Sequence, residues 1–250
     1  MKPVYFVGAG PGDPELITIK GKHLLSQADV VIYTNSLIPA PILQYCRSNA
    51  QVIPSLELSL EEITNFMINC ATSNQLVVRL HDGDPSIFST IGEQIDRLLA
   101  ASIPVEVVPG VSAFQLAAAR LQVELTIPEL VQTIILTRVS AKNKVPDREA
   151  LRELAKHQAT ICLYLSAKQI EIATAELLTA YPPSTPVAIC YHLGWQDEKI
   201  VTTKLENMAV VSRTMQLERS ALYVISPALH YRGNRSALYQ KSTFLPQQFQ

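Results

Sequence analysis

Surplus charge, clustered metal ligands and long unbroken apolar runs are all scarce in this 250-residue chain. Lys and Arg total 21 against 22 Asp and Glu, leaving a formal charge of -1, so no global basic field marks a nucleic-acid binder. Cys46, Cys70, Cys162 and Cys190 form no CxxC pair, and the 5 histidines are equally dispersed. That excludes the spacing of a zinc site or a disulfide scaffold. Cys162 and Cys190 lie in apolar runs, where a small buried thiol is expected. The longest charge-free run, Leu177–Gln196, is broken by Pro182, Pro183 and Pro186 and does not read as a membrane span. The opening MKPVYFVGAG lacks the hydrophobic stretch and cleavage site of a signal peptide, so a cytoplasmic protein is expected. What is present is core material: 48% of residues are hydrophobic and 17% charged. This excludes a disordered chain and predicts one large or two small domains.

Apolar runs of strand length alternate with longer helical stretches through the first half. Strands are expected at Pro3–Gly8, Asp29–Tyr33, Gln51–Pro54, Gln75–Leu80 and Val105–Val108. Helices are expected at Glu15–Gln27, Pro41–Arg47, Leu60–Thr72, Ile87–Ala101 and Val111–Leu121, with Ser59 and Glu62 forming a capping box. Strands apolar throughout and separated by helices mean a parallel sheet covered on both faces. The second half is less regular, with strands at Thr133–Thr137, Thr160–Leu165, Val187–Tyr191, Lys199–Thr203 and Leu222–Ser226. Helices are expected there at Arg148–Lys156, Lys168–Leu178 and Leu205–Met215. The strands at 187–191 and 199–203 are joined by a loop, so a hairpin and a mixed sheet are expected. The fold class is therefore α/β, in two domains: residues 1–121 with a parallel sheet and 122–232 with a mixed sheet. A polar tail follows at 233–250.

Chemistry concentrates in turns at strand ends. Gly8-Ala-Gly-Pro-Gly-Asp-Pro14 follows the first strand, where ligands of open parallel sheets bind. It is not a dinucleotide fingerprint: Asp13 stands where that motif needs a small residue, and its charge repels a pyrophosphate. The second strand ends Tyr33-Thr-Asn-Ser36, without the acid that would hold a ribose. His81-Asp-Gly-Asp-Pro-Ser86 offers two carboxylates around a glycine, a pairing that discourages phosphate and welcomes a zwitterionic or cationic ligand. In it Asp84 can equally cap the next helix. In Pro109-Gly-Val-Ser-Ala113, Gly110 permits close backbone approach and Ser112 can cap or donate. Together, on one rim, the turns predict a shared ligand cleft.

VGAGPGDPELITIKG, RLHDGDPSIF and VVPGVSAFQLAAA resemble the conserved blocks of the tetrapyrrole methyltransferases, which methylate uroporphyrinogen-derived rings using S-adenosylmethionine. The likeness runs in order from Val4 to about Ser226, and Trp195-Gln-Asp197-Glu198 is similar to the cobalamin-pathway branch. Two places depart from the family pattern, at Tyr33–Ser36 and at Thr203-Lys204. The resemblance implies two α/β domains with S-adenosylmethionine in the cleft between them, and a homodimer. Carried over, Pro11 borders the adenosyl group, while Asp82, Gly83, Asp84 and Ile87 hold the methionine part. Ser112 and Ala113 line the pocket, and Leu165, Ala188 and Leu193 flank the adenine.

Methyl transfer asks the protein mainly for alignment, plus a proton acceptor or charge stabiliser near the ring, for which Asp84 is the candidate catalytic residue. The implied polycarboxylate tetrapyrrole substrate needs local positive charge. Arg138, Lys142, Lys144 and Arg148 lie within eleven residues beside one acid, Asp147, and form the expected carboxylate clamp. Arg79 and His81 are the alternatives. No metal site, nucleic acid or membrane partner is expected. The competing readings are the same fold acting on a different tetrapyrrole, uroporphyrinogen III included, or on a modified histidine, and a non-catalytic nucleotide-binding module.

Overall fold

The structure, a computed structural model, describes residues 2–139 and 144–231; Lys142 and the expected tail at 233–250 lie outside the described residues. The first sheet holds β1 (Val4–Gly8), β2 (Val30–Tyr33), β3 (Gln51–Pro54), β4 (Val77–His81) and β5 (Val105–Val108) in the order β3-β2-β4-β1-β5, all parallel. Its helices are α1 (Ile19–Gln27), α2 (Leu60–Thr72), α3 (Ile91–Ala100) and α4 (Ala113–Leu121). Alternation along each strand sends side chains to two separate cores. Val4, Phe6, Ile32 and Val77 pack with Met67 of α2 and Leu98 of α3. Val7, Val31, Val78 and Leu80 pack with Leu24 and Leu25 of α1 and with Ile38 and Ile42. Burial on both faces is why these strands read as unbroken apolar runs.

The second sheet holds β6 (Ile134–Arg138), β7 (Thr160–Tyr164), β8 (Pro186–Tyr191), β9 (Lys199–Lys204) and β10 (Ala221–Ile225), ordered β6-β7-β10-β8-β9. β6 runs parallel to β7 and β10 antiparallel to it, so the sheet is mixed. α5 (Leu151–Ala155), α6 (Ile170–Leu177) and α7 (Met208–Thr214) accompany it. The chain divides into two compact units. One gathers Met1–Leu121 with Cys190–Val201 and Leu217–Leu222, and the other takes the remainder. The β8–β9 loop therefore packs with the first unit, a long-range return that contiguous segments do not contain. No described helix is long and apolar enough to cross a membrane.

Several helices begin later than their pattern suggests, for local reasons. The expected helix at Glu15–Gln27 is a 3-10 turn at Pro14–Leu16 followed by α1, because the Thr18 hydroxyl caps the Gly21 N–H at 3.1 Å and resets the start. Pro41–Arg47 is a 3-10 turn at Ala40–Tyr45. α3 begins at Ile91 and not at Ile87, since Phe88 and Thr90 adopt left-handed φ of 55° and 53° that no α-helix accommodates.

The capping box on α2 forms as its sequence predicts: Ser59 Oγ accepts from the Glu62 N–H at 3.2 Å, and Glu62 Oε2 accepts from the Ser59 N–H at 2.7 Å. Ser59→Ala is expected to cost about 1 kcal/mol, read as a lower guanidinium unfolding midpoint with unchanged slope.

Candidate functional site

β4, β1 and β5 are neighbours at the centre of the first sheet, so the turns leaving their carboxyl ends meet. The Ala9 N–H donates to His81 O at 2.7 Å, and Gly10 and Gly83 exchange N–H···O bonds at 3.2 and 2.8 Å. A Cβ on Gly8 would lie 2.6 Å from Gly110 Cα and 2.7 Å from Gly83 O, and one on Gly110 would strike Gly83 O and Gly8 Cα. Backbones touch where no side chain fits at Gly8 and Gly110, which is the reason for glycine at those two positions.

Asp84 fastens the junction. Its Oδ2 accepts from the Gly110 N–H at 2.8 Å, while Oδ1 accepts from the Ser86 N–H at 2.8 Å and from the Ser86 hydroxyl. Burial pushes this carboxyl up, but the hydrogen bonds from Ser86 and Gly110 outweigh it and hold the pKa below the usual carboxylate range. With both oxygens committed, Asp84 is placed as a brace between the second and third turns. Asp82 differs. It is exposed, yet the dense walls around it raise its pKa, with its own backbone N–H and then Arg79 opposing. Gly83 between them is left-handed at φ 57°, with nothing closer than 3.8 Å to an added Cβ.

Pro11 and Ile87 are half-buried on the same rim, and Ser112 is buried at the head of α4, its N–H donating to Gln115 Oε1 at 2.8 Å, with Ala113 beside it. Sequence reasoning missed the β8–β9 loop as a partner of the first turn. A Cβ on Gly12 would lie 2.5 Å from Trp195 Cδ1 and 2.6 Å from Leu193 O, and Gly194 packs on Gly12 and Asp13. Glu198 accepts from the Gly194 N–H at 2.6 Å and from Arg120 Nε at 3.1 Å, and Arg120 lies 3.9 Å from Asp13. His192 stacks between Tyr191 and Trp195, its Nδ1 2.9 Å from both Asp197 oxygens. The Trp195–Glu198 run was the available signal, but nothing local showed that it closes on Gly12.

In the second unit, Leu165 is exposed with a left-handed φ of 51°, whereas Ala188 is fully buried within β8. Leu193, in the first unit, is also buried. Of the expected clamp, Arg138 is half-buried at the end of β6; Lys144 and Arg148 are exposed, Arg148 pairing at 3.7 Å with Glu149. Arg79 and His81 are buried side chains of β4. Burial lowers the Arg79 pKa to about 10 despite Asp82. Burial, then the Arg79 charge, push His81 down to about 3, so its imidazole is neutral at physiological pH.

The rim carries carboxylates and close-set backbone, and none of its three turns contains a lysine or arginine. Fold and site together define an α/β protein whose first sheet gathers carboxylate-bearing, glycine-rich turns on one rim. The chain belongs to the tetrapyrrole (corrin/porphyrin) methylases, whose family model matches residues 3–209, and it is a methyltransferase. It is 44% identical to the cobalt-precorrin-4 C(11)-methyltransferase of Methanocaldococcus jannaschii, over 96% of this chain and 94% of that one. Among solved structures, that of a cobalamin biosynthetic enzyme, cobalt precorrin-4 methyltransferase, aligns with a TM-score of 0.88 at 40% identity, over 91% of this chain and 95% of its own. The uroporphyrin-III C-methyltransferase of Thermus thermophilus, complexed with S-adenosylhomocysteine, aligns at 0.76 with 30% identity, over 91% and 99%.

Two outcomes follow from this geometry. Asp84→Asn replaces one acceptor oxygen with a donor facing other donors. It is expected to cost about 1–3 kcal/mol of stability and to weaken S-adenosylhomocysteine binding by calorimetry. An unshifted unfolding midpoint with lost turnover would give Asp84 the chemical role instead. His81 carries an acid sensitivity. As pH falls from its ordinary 6.5 toward about 3, the unfolded chain takes up a proton that the folded chain refuses, so stability is lost across that window. Wild type is expected to lose up to about 1.4 kcal/mol per pH unit more than His81→Gln there, measured by urea unfolding at stepped pH.

Proposed function

We propose that this methyltransferase transfers a methyl group from S-adenosylmethionine to carbon 11 of precorrin-4, metal-free or cobalt-bearing, in cobalamin synthesis in the cytoplasm. The observation that carries the reading is similarity over nearly the whole chain to an enzyme named for that ring position. The rim fits the cofactor: when bound, it supplies an electrophilic methyl on a sulfonium that departs as a neutral thioether, leaving little covalent work to the protein. The exposed Asp82 carboxylate pairs with the ammonium of the methionine part, and Gly83 and Ile87 pack along it. Asp84 keeps the second and third turns in register from behind. Pro11 borders the adenosyl group, Ser112 and Ala113 close the pocket wall, and Leu165, Ala188 and Leu193 contribute near the adenine, Ala188 and Leu193 through backbone since their side chains are buried. Holding donor and acceptor in line is worth on the order of 7–11 kcal/mol of barrier, and a rim fixed by backbone contacts is suited to that work. Arg138, Lys144 and Arg148 add positive charge for the carboxylates of the ring.

The reading is tested in two stages. Calorimetric titration is expected to show tight binding of S-adenosylhomocysteine and none of NAD or ATP at equal concentration; preference for either nucleotide would leave a binding module. Turnover with precorrin-4 and ¹³C-methyl S-adenosylmethionine is then expected to place the label on carbon 11, by mass spectrometry and ¹³C NMR. Label on another carbon, or turnover of uroporphyrinogen III instead, would move the chain elsewhere in the family.

A further inference from the structure

At the carboxyl end of β4 the α2–α3 side of the first sheet turns polar. Val77, Arg79 and His81 alternate onto that side, and His81 stacks on Phe6 with ring centroids 5.9 Å apart. Arg79 is only 4% exposed and His81 5%. A buried guanidinium is ordinarily matched by a carboxylate. Arg79 has none within ion-pairing distance among the described residues. Its donors reach only neutral oxygens, all at long range: Gln94 Oε1 at 3.3 Å, Ile32 O at 3.3 Å, Leu80 O at 3.4 Å and Thr34 Oγ1 at 3.4 Å. Asp82 is the acid whose charge opposes the effect of burial on it.

His81 adds a second and independent observation. Its Nε2 is buried and has no hydrogen-bond partner, although buried ring nitrogens are almost always paired. The amino end of α3 borders the same spot, since Gln94 in its first turn touches Arg79. Thr90 at the N-cap offers α3 no side-chain hydrogen bond, so the first N–H groups of this ten-residue helix lack an N-cap acceptor and favour negative charge, with the exposed Glu93 the acid of that turn.

From the unmatched guanidinium, the idle imidazole nitrogen and the uncapped helix end, we propose that Arg79 and His81 form a subsite that receives one carboxylate arm of the tetrapyrrole substrate. The inference rests on the methyltransferase reading and sharpens it, by locating a substrate contact in the first unit, directly behind the turn that bears Asp82. The carboxylate supplies the counter-charge that Arg79 lacks and an acceptor for the His81 ring N–H; Gln94 and Thr34 hold the guanidinium in place. A macrocycle whose arm is an ester or an amide brings no charge to the site and gains nothing from Arg79, so the subsite selects the free acid.

The test uses the full-length protein and two stable probes, uroporphyrin III, an octacarboxylate, and its neutral octa-amide, titrated by fluorescence quenching. Wild type is expected to prefer the acid, and His81→Ala to cut that preference about tenfold while S-adenosylhomocysteine still binds as in wild type. His81→Lys, which restores a donor and adds a positive charge, is expected to return the preference. A merely structural histidine would lower both affinities together and leave their ratio alone. An unchanged acid-to-amide ratio in His81→Ala and His81→Gln overturns the subsite, as does a wild type that binds S-adenosylhomocysteine without discriminating acid from amide. Failure of wild type to bind S-adenosylhomocysteine at all would overturn the methyltransferase reading beneath it.

Discussion

Backbone contact between three turns, at Gly8, Gly83 and Gly110, is the constraint on which the candidate site depends. No other residue type fits at Gly8 or Gly110, where an added Cβ lands within van der Waals overlap of neighbouring main chain. The contact exists because the strand order puts β1 between β4 and β5, so that turns far apart in sequence leave one rim together. Asp84 then converts proximity into a fixed geometry by bridging its own turn to Gly110. Preorganisation of this kind suits methyl transfer, in which the protein contributes position more than covalent chemistry.

The first unit also keeps a polar inclusion in one of its two apolar cores. Arg79 and His81 interrupt a face otherwise made of Val4, Phe6, Ile32 and Val77; Arg79 donates only to neutral oxygens, and His81 Nε2 has no partner. Stability alone gives no reason for that arrangement, since an apolar pair of similar volume would avoid the desolvation. Its position behind the Asp82 turn gives a functional one.

Much of this architecture was legible from residues alone. The parallel first sheet followed from strands apolar along their whole length, and the mixed second sheet from two strands joined without a helix. The α2 capping box was explicit in Ser59 and Glu62. What stayed hidden was set by single dihedrals or by distant partners. Thr18 divides an otherwise continuous helical pattern, and nothing in the periodicity shows that Phe88 and Thr90 turn left-handed. The acid-bearing turns were visible as neighbours on one rim, but the difference between Asp82 and Asp84 depends on which carboxylate meets the Gly110 N–H, a contact across 26 residues. The seating of Trp195 on Gly12 spans the chain still more widely, and composition carries no trace of it.

The order of the first sheet leaves β3 and β5 as its outer strands, and outer strands are where identical chains can add to one another in fibre-like stacks. β5 is bracketed by Pro104 and Pro109, neither of which can donate a ladder hydrogen bond, and carries Glu106 at its middle, paired with Lys20. β3 is four residues long and closes on Pro54. Both margins are thus short, proline-marked or charged, so the sheet can stay open at high cellular concentration without recruiting copies of itself.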